Sequence, residues 1–222
     1  MSELAAEHVA HHPHLAHHFE TADQQHDAAK LGMWIFLVTE ILLFSGLFVA
    51  YAAFRAMHPE VFVNASKLLD LSLGTLNTAI LIGSSLTMAL AVRSAQLSHE
   101  RRLTLYLAVT LLLAGGFLVI KFIEYRHKFE LGVLPGQYFH PSAELGLQFP
   151  HARTFFSLYF MMTGLHGLHV IGGMGVILWL IVRSLRRHFS SRYFTPVELV
   201  GLYWHLVDMV WIYLFPLLYL IH

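Results

Sequence analysis

Cysteine is absent from this chain of 222 residues. That excludes disulfides, thiolate metal sites, a CxxCH haem attachment and the dithiol ligands usual at a dinuclear copper centre. Charge is scarce as well. Asp, Glu, Lys and Arg make up 13% of the residues, about half of the ~25% typical of soluble proteins. Neither sign dominates, with 14 Lys plus Arg against 14 Asp plus Glu. There is no basic field, so nucleic acid is not expected as a partner. What is abundant is apolar surface: 56% hydrophobic residues, 14% aromatic residues and a mean hydropathy of +0.58. A soluble globular domain is nearly excluded. Disorder of the bulk is excluded, because so much apolar surface does not stay in water.

Histidine is the one plentiful polar type, at 17, and seven of these fall within the first 26 residues. Residues 1–30 read as a polar, His-rich tail, exposed and mostly disordered. It has no basic n-region and no apolar h-region, so it does not read as a secretory signal, and without Arg it does not read as a mitochondrial presequence. Its imidazoles suit proton buffering or adventitious metal binding. A functionless solvated tail is the plainer reading.

Residues 31–222 form the second unit. Five apolar runs lie near Leu31–Phe54, Leu71–Val92, Leu103–Tyr125, Thr154–Val182 and Val197–Ile221. Each approaches or exceeds the ~20 residues that cross a ~30 Å hydrocarbon core as a helix. The runs are continuous rather than alternating, which favours helices over barrel strands. The expected fold is all-α, an integral membrane bundle of five transmembrane helices. One side of it carries Lys30, Arg93, Arg101, Arg102, Arg183, Arg186, Arg187 and Arg192, and the other Arg55, Lys67, Arg126, Lys128 and Arg153. The excess predicts a cytoplasmic N-terminus and an outside C-terminus. The long connection from Arg126 to Arg153 carries turn dipeptides. Its Tyr138, Phe139 and Phe149 suit a membrane interface or a partner surface.

Ionisable groups inside a bilayer are costly and point to function. Glu40 lies about nine residues into the first run, among Phe36, Leu37, Leu43, Phe44 and Leu47. On so apolar a face a neutral acid is expected at pH 7. It is either hydrogen-bonded to a partner subunit or used in proton handling or lipid contact. Lys121 and Glu124, three apart, can pair, and a structural ion pair at the membrane interface is expected, with Lys121 free to snorkel outward. His166 and His169 lie about 60° apart on the fourth helix. The face of Gly164, Gly167 and Gly175 is expected to allow close helix approach. A metal site on these two histidines lacks a third ligand in the motif, so packing histidines are favoured. Glu198, His205 and Asp208 share one stripe of the last helix, with Trp204 and Trp211 on another side. A polar cluster of His166, His169, His205 and Asp208 is therefore expected between the last two helices. An interhelical clamp is its plain reading.

The blocks GMWIFLVTE, LNTAILIGSS, KFIEY, TGLHGLHVIGG and YWHLVDMVW occur in this order between Leu31 and the end. In this they resemble subunit III of the haem-copper oxidases, cytochrome c oxidase in particular. The resemblance implies an accessory subunit with no catalytic residue and no cofactor of its own. Haem and copper would sit in partner subunits. The chain would pack against subunit I, with subunit II and other oxidase subunits nearby, bind phospholipid, and keep proton uptake fast at the cytoplasmic side. A larger respiratory supercomplex is a further implied setting. By the same likeness Glu40, Glu124, His166, His169, His205 and Asp208 match the family's polar positions, and Arg186, Arg187, His188 and Arg192 are candidates for lipid headgroups. Two departures stand out. The commonest long form has seven helices and this chain five, so the lipid cleft would be open or completed by another subunit. Lys121 also stands where Gln is common.

The expected role is thus the third subunit of a bacterial cytochrome c oxidase in the inner membrane, where O2 reduction is coupled to proton pumping. The closest alternative is the related subunit of a quinol oxidase or nitric oxide reductase. A different class is a stand-alone membrane haem protein with His166, His169 and His205 as axial ligands. A third is a proton-coupled transporter, which the missing inverted repeat argues against.

Overall fold

The computed structural model describes residues 16–141, 151–191 and 193–221. Five long helices carry the architecture: α1 (Ala22–Met57), α3 (Leu71–Gln96), α4 (Glu100–Glu130), α5 (Ala152–Leu185) and α6 (Thr195–Tyr219). Each is long and apolar enough to cross a membrane. They coincide with the five runs read from the sequence. The short α2 (Pro59–Ser66) was not anticipated. Among the described residues there is no strand, only the isolated bridges Val133–Phe139 and Ser190–Tyr193.

Local chemistry sets the ends. Thr21 caps α1, its Oγ1 accepting from the Gln24 N–H at 3.1 Å, and Asp23 adds a favourable charge to the first turn. The helix therefore starts at Ala22, and residues 22–30, read as part of the tail, are helical. Residues 1–15 of that tail lie outside the described residues. Asp70 caps α3 through Ser72 N and Leu73 N, at 2.9 and 3.1 Å. Pro59 opens α2 at a position that needs no N–H. The Phe62 ring of α2 then packs edge-on against Tyr51 and Phe155, at 5.2 and 5.3 Å.

Helices α3, α4, α5 and α6 form a closed ring of neighbours, α3 on α4, α4 on α5, α5 on α6 and α6 back on α3. Helix α1 lies outside this ring against α5 and α6. Of the five long helices, α6 is the most buried and α1 the least. Close approach comes from glycines other than those expected. A Cβ on Gly173 would meet the Trp204 ring at 2.7 Å, and one on Gly201 would meet Val92 at 2.8 Å. Among the described residues nothing lies within 4 Å of a Cβ at Gly167 or Gly175, and Gly164 faces only the Tyr125 hydroxyl, at 3.8 Å. The buried stripe of α5 runs through Tyr159, His166, Val170, Gly173 and Ile177, which leaves Gly175 outside.

Near its far end α1 is tied to α6 by the Tyr51 hydroxyl, which donates to the Leu217 carbonyl at 2.5 Å. Tyr51→Phe is expected to cost about 0.5–1.5 kcal/mol, the net worth of one such bond. The melting temperature of the solubilised protein checks this, and an unchanged value would show that the bond contributes nothing.

Candidate functional site

The polar residues singled out in the sequence occupy separate places rather than one cluster. The first joins α1 to α5. His169 Nε2 lies 2.7 Å from Glu40 Oε2, and His169 Nδ1 lies 2.8 Å from the Leu165 carbonyl. A carbonyl only accepts, so Nδ1 carries a hydrogen. The contact with Glu40 then holds one proton in either of two ways. A protonated acid donates to a neutral ring, or an imidazolium donates to a carboxylate. Both arrangements are net neutral, and both side chains keep a margin of exposure. The Tyr203 hydroxyl donates to the His169 carbonyl at 2.9 Å, and the Phe44 ring covers the imidazole at 5.2 Å. Glu40 thus has its partner within this chain, not on a wholly apolar face.

The second place is the interior between α4, α5 and α6. Lys121 pairs with Glu124 as the spacing predicts, Nζ to Oε2 at 2.8 Å. The outward snorkelling expected of Lys121 is not found, because its side chain is buried. Its Nζ also donates to the Tyr219 hydroxyl at 2.8 Å and lies 4.6 Å from the centre of the Trp211 ring. Glu124 Oε1 accepts from the Tyr159 and Tyr219 hydroxyls, at 2.9 and 2.5 Å. Aromatic residues of α5 and α6 therefore replace the water an exposed pair would use. Nearby Lys128 is buried too, its Nζ donating to the Leu68 carbonyl. Sequence reasoning missed this tie.

The remaining residues diverge. His166 is fully buried between Phe117 and Trp211, at 5.5 and 5.3 Å between ring centres, and neither ring nitrogen has a hydrogen-bond partner among the described residues. His205 Nδ1 meets Ser85 Oγ at 2.8 Å, while Asp208 Oδ2 lies 3.5 Å from Ser84 Oγ. Two consecutive serines of α3 thus hold both residues, Ser85 interacting with His205 and Asp208 and Ser84 with Asp208. Trp204 reaches the same Ser84 through Nε1 at 3.2 Å, so it shares the α3-facing side with Asp208. His169 turns outward to α1 and His166 inward, because three residues on a helix leave a ~60° divergence. The three histidines considered as haem ligands do not converge. Among the described residues no three His, Cys, Asp or Glu side chains gather as a metal site would need.

Glu198 leaves the predicted stripe for α1. Lys30 Nζ lies 3.1 Å and His26 Nε2 3.7 Å from its carboxylate, and His26 Nδ1 meets Thr195 Oγ1 at 2.9 Å. At the same end of the bundle Arg187 pairs with Glu100 at 3.3 Å, while Arg186 and His188 are exposed. Arg192 lies outside the described residues, as does Phe149. Arg187 and Ser98 both adopt left-handed backbone, and Ser191 N–H donates to Ser98 Oγ at 2.7 Å. This brings the α3–α4 and α5–α6 turns together. Arg187 then lines one recess with His99, Arg101 and Arg102, basic neighbours that sequence reasoning had not joined to it.

Residues 9–222 match the family model of cytochrome c oxidase subunit III. The chain is 33% identical over 201 residues to cytochrome c oxidase subunit 3 of Thermostichus vulcanus, covering 90% of each chain. It is 34% identical over 196 residues to the protein of that name in Synechocystis sp., covering 88% of this chain and 76% of that one. It is also 30% identical over 190 residues to quinol oxidase subunit 3 of Bacillus spizizenii, covering 86% and 85%. By motif order, five-span architecture and these matches, the chain belongs to the cytochrome c oxidase subunit III family, whose members are membrane-bound subunits of respiratory oxidase complexes and have other oxidase subunits as partners.

Proposed function

We propose that this chain is the accessory third subunit of a bacterial proton-pumping terminal oxidase that takes electrons from cytochrome c. It lies in the inner membrane with its N-terminus in the cytoplasm and its C-terminus outside. It carries no catalytic residue and no cofactor. Haem and copper sit in the partner subunits, and this chain packs against subunit I. Its contribution is to stabilise that subunit, hold phospholipid and support proton uptake. The exposed Arg186 and His188, with Arg187 nearby, suit lipid phosphates on the cytoplasmic side. A quinol donor is the second reading, favoured by the likeness to the Bacillus spizizenii quinol oxidase subunit.

The observation that carries the reading is the Glu40–His169 pair. It keeps one exchangeable proton at a half-buried position on the outside of the helix ring without net charge, which makes it inexpensive in hydrocarbon. Glu40→Gln keeps a hydrogen bond to His169 but cannot pass on a proton. In the intact oxidase it is expected to assemble normally and to slow proton uptake during turnover, followed with a pH dye. Glu40→Leu leaves the imidazole unpaired and is expected to destabilise by about 1–3 kcal/mol as well. Proton uptake in Glu40→Gln at the wild-type rate would remove the proton-handling role.

A further inference from the structure

The groove between the last turn of α1 and the end of α6 opens into a recess of about 380 Å3 lined by Tyr51, Ala52, Arg55, Ala56, Pro59 and Leu217. Two of these groups are polar side chains. The Tyr51 hydroxyl is committed to the Leu217 carbonyl. Arg55 makes no hydrogen bond or ion pair among the described residues. It is nonetheless half-buried, because it lies one turn beyond Tyr51 on the face of α1 that is turned to the bundle. A guanidinium offers five donors in a planar fork suited to phosphate or carboxylate. Held between apolar walls, it calls for an acceptor.

A second feature points the same way. Helix α2 begins at this recess with Pro59, and no side chain caps its first turn. The positive end of the helix there favours an anion, though Pro59, the α2 residue that lines the recess, has no N–H to give. Glu60, in that turn, is exposed and does not line the recess. The recess also lies where the apolar runs of α1 and α6 end, at the depth of lipid headgroups.

We propose that this recess binds the phosphate of an anionic phospholipid from the leaflet at the α1 C-terminus. Arg55 pairs with the phosphate, and an acyl chain follows the apolar wall of Tyr51, Ala52 and Leu217. The site is at the opposite end of the bundle from Arg186–His188. It rests on the long helices being spans, and not on the lipid role proposed for those residues.

The intact oxidase complex is purified as wild type, Arg55→Gln, Arg55→Lys and Arg126→Gln, the last altering an exposed arginine paired with Glu130. Retained phosphatidylglycerol and phosphatidylcholine are counted by native mass spectrometry. Delipidated complexes are then reloaded with vesicles of either lipid, or with inorganic phosphate, and heated. Arg55→Gln is expected to lose one phosphatidylglycerol per chain together with the heat protection that lipid confers. Arg126→Gln keeps both, and Arg55→Lys keeps them in part. Equal phosphatidylglycerol counts in wild type and Arg55→Gln overturn the proposal. Protection by inorganic phosphate alone also overturns it, in favour of a free-anion site. Loss of a partner subunit from Arg55→Gln in lipid-replete membranes overturns it too, by giving Arg55 to a protein carboxylate. The double variant Arg186→Gln, Arg187→Gln tests the cytoplasmic-side reading separately, because its lipid loss leaves the Arg55-dependent lipid in place.

Discussion

Lys121→Met is expected to destabilise the bundle by about 3–5 kcal/mol, the cost of breaking a buried ion pair by removing one partner. Glu124 would remain inside with two phenol donors and, as its remaining cation, the buried Lys128 four residues on. The loss comes from the stranded group rather than from any large net worth of the pair, so Lys121→Met with Glu124→Leu should recover much of it. Lys121→Gln should fall between, since an amide can still donate to the acid. Thermal unfolding of the assembled complex, with the single variants and the double variant in one series, decides the matter. A Lys121→Met protein as stable as wild type would mean that water reaches Glu124, which the burial of both residues opposes.

Gly173→Ala is expected to destabilise the α5–α6 contact by about 1–3 kcal/mol, as overpacking does. The added methyl would stand 2.7 and 2.8 Å from two carbons of the Trp204 ring and 3.2 Å from Tyr203. Trp204 is fully buried and its Nε1 is held by Ser84, so the ring has little room to yield. Gly167→Ala and Gly175→Ala are the controls. Their added methyls meet nothing within 4 Å among the described residues, and alanine gains up to about 1 kcal/mol over glycine within a helix. The two outcomes have opposite sign, which thermal unfolding resolves. A Gly173→Ala protein more stable than wild type would show that the helices do not approach as described.

Legibility followed the range of the interactions. The five spans are visible in the sequence because run length and hydropathy are local. The Lys121–Glu124 pair is visible because i and i+3 share a face. Its burial is not, because the surrounding Tyr159, Trp211 and Tyr219 come from other helices. Glu40 and His169 stand 129 residues apart, and no periodicity joins them. Arithmetic on one helix placed Gly164, Gly167 and Gly175 together, but only the neighbour decides which side is tight, and Trp204 chose Gly173. The first turns of α1 were missed because Ala22–Lys30 is polar. What fixes them is the Thr21 cap and the contacts of His26 and Lys30 with the start of α6.

His26, Lys30, Glu40 and Tyr51 fall within about 80° of one another around α1 at ~100° per residue. They fasten it to the start of α6, the middle of α5 and the end of α6 in turn. An apolar rod in hydrocarbon has no preferred azimuth of its own. These ties, spread along its whole length, stop it from spinning about its axis. The same flank of α1, with Leu31, Leu42 and Val49 exposed on it, is therefore always presented to whatever lies alongside.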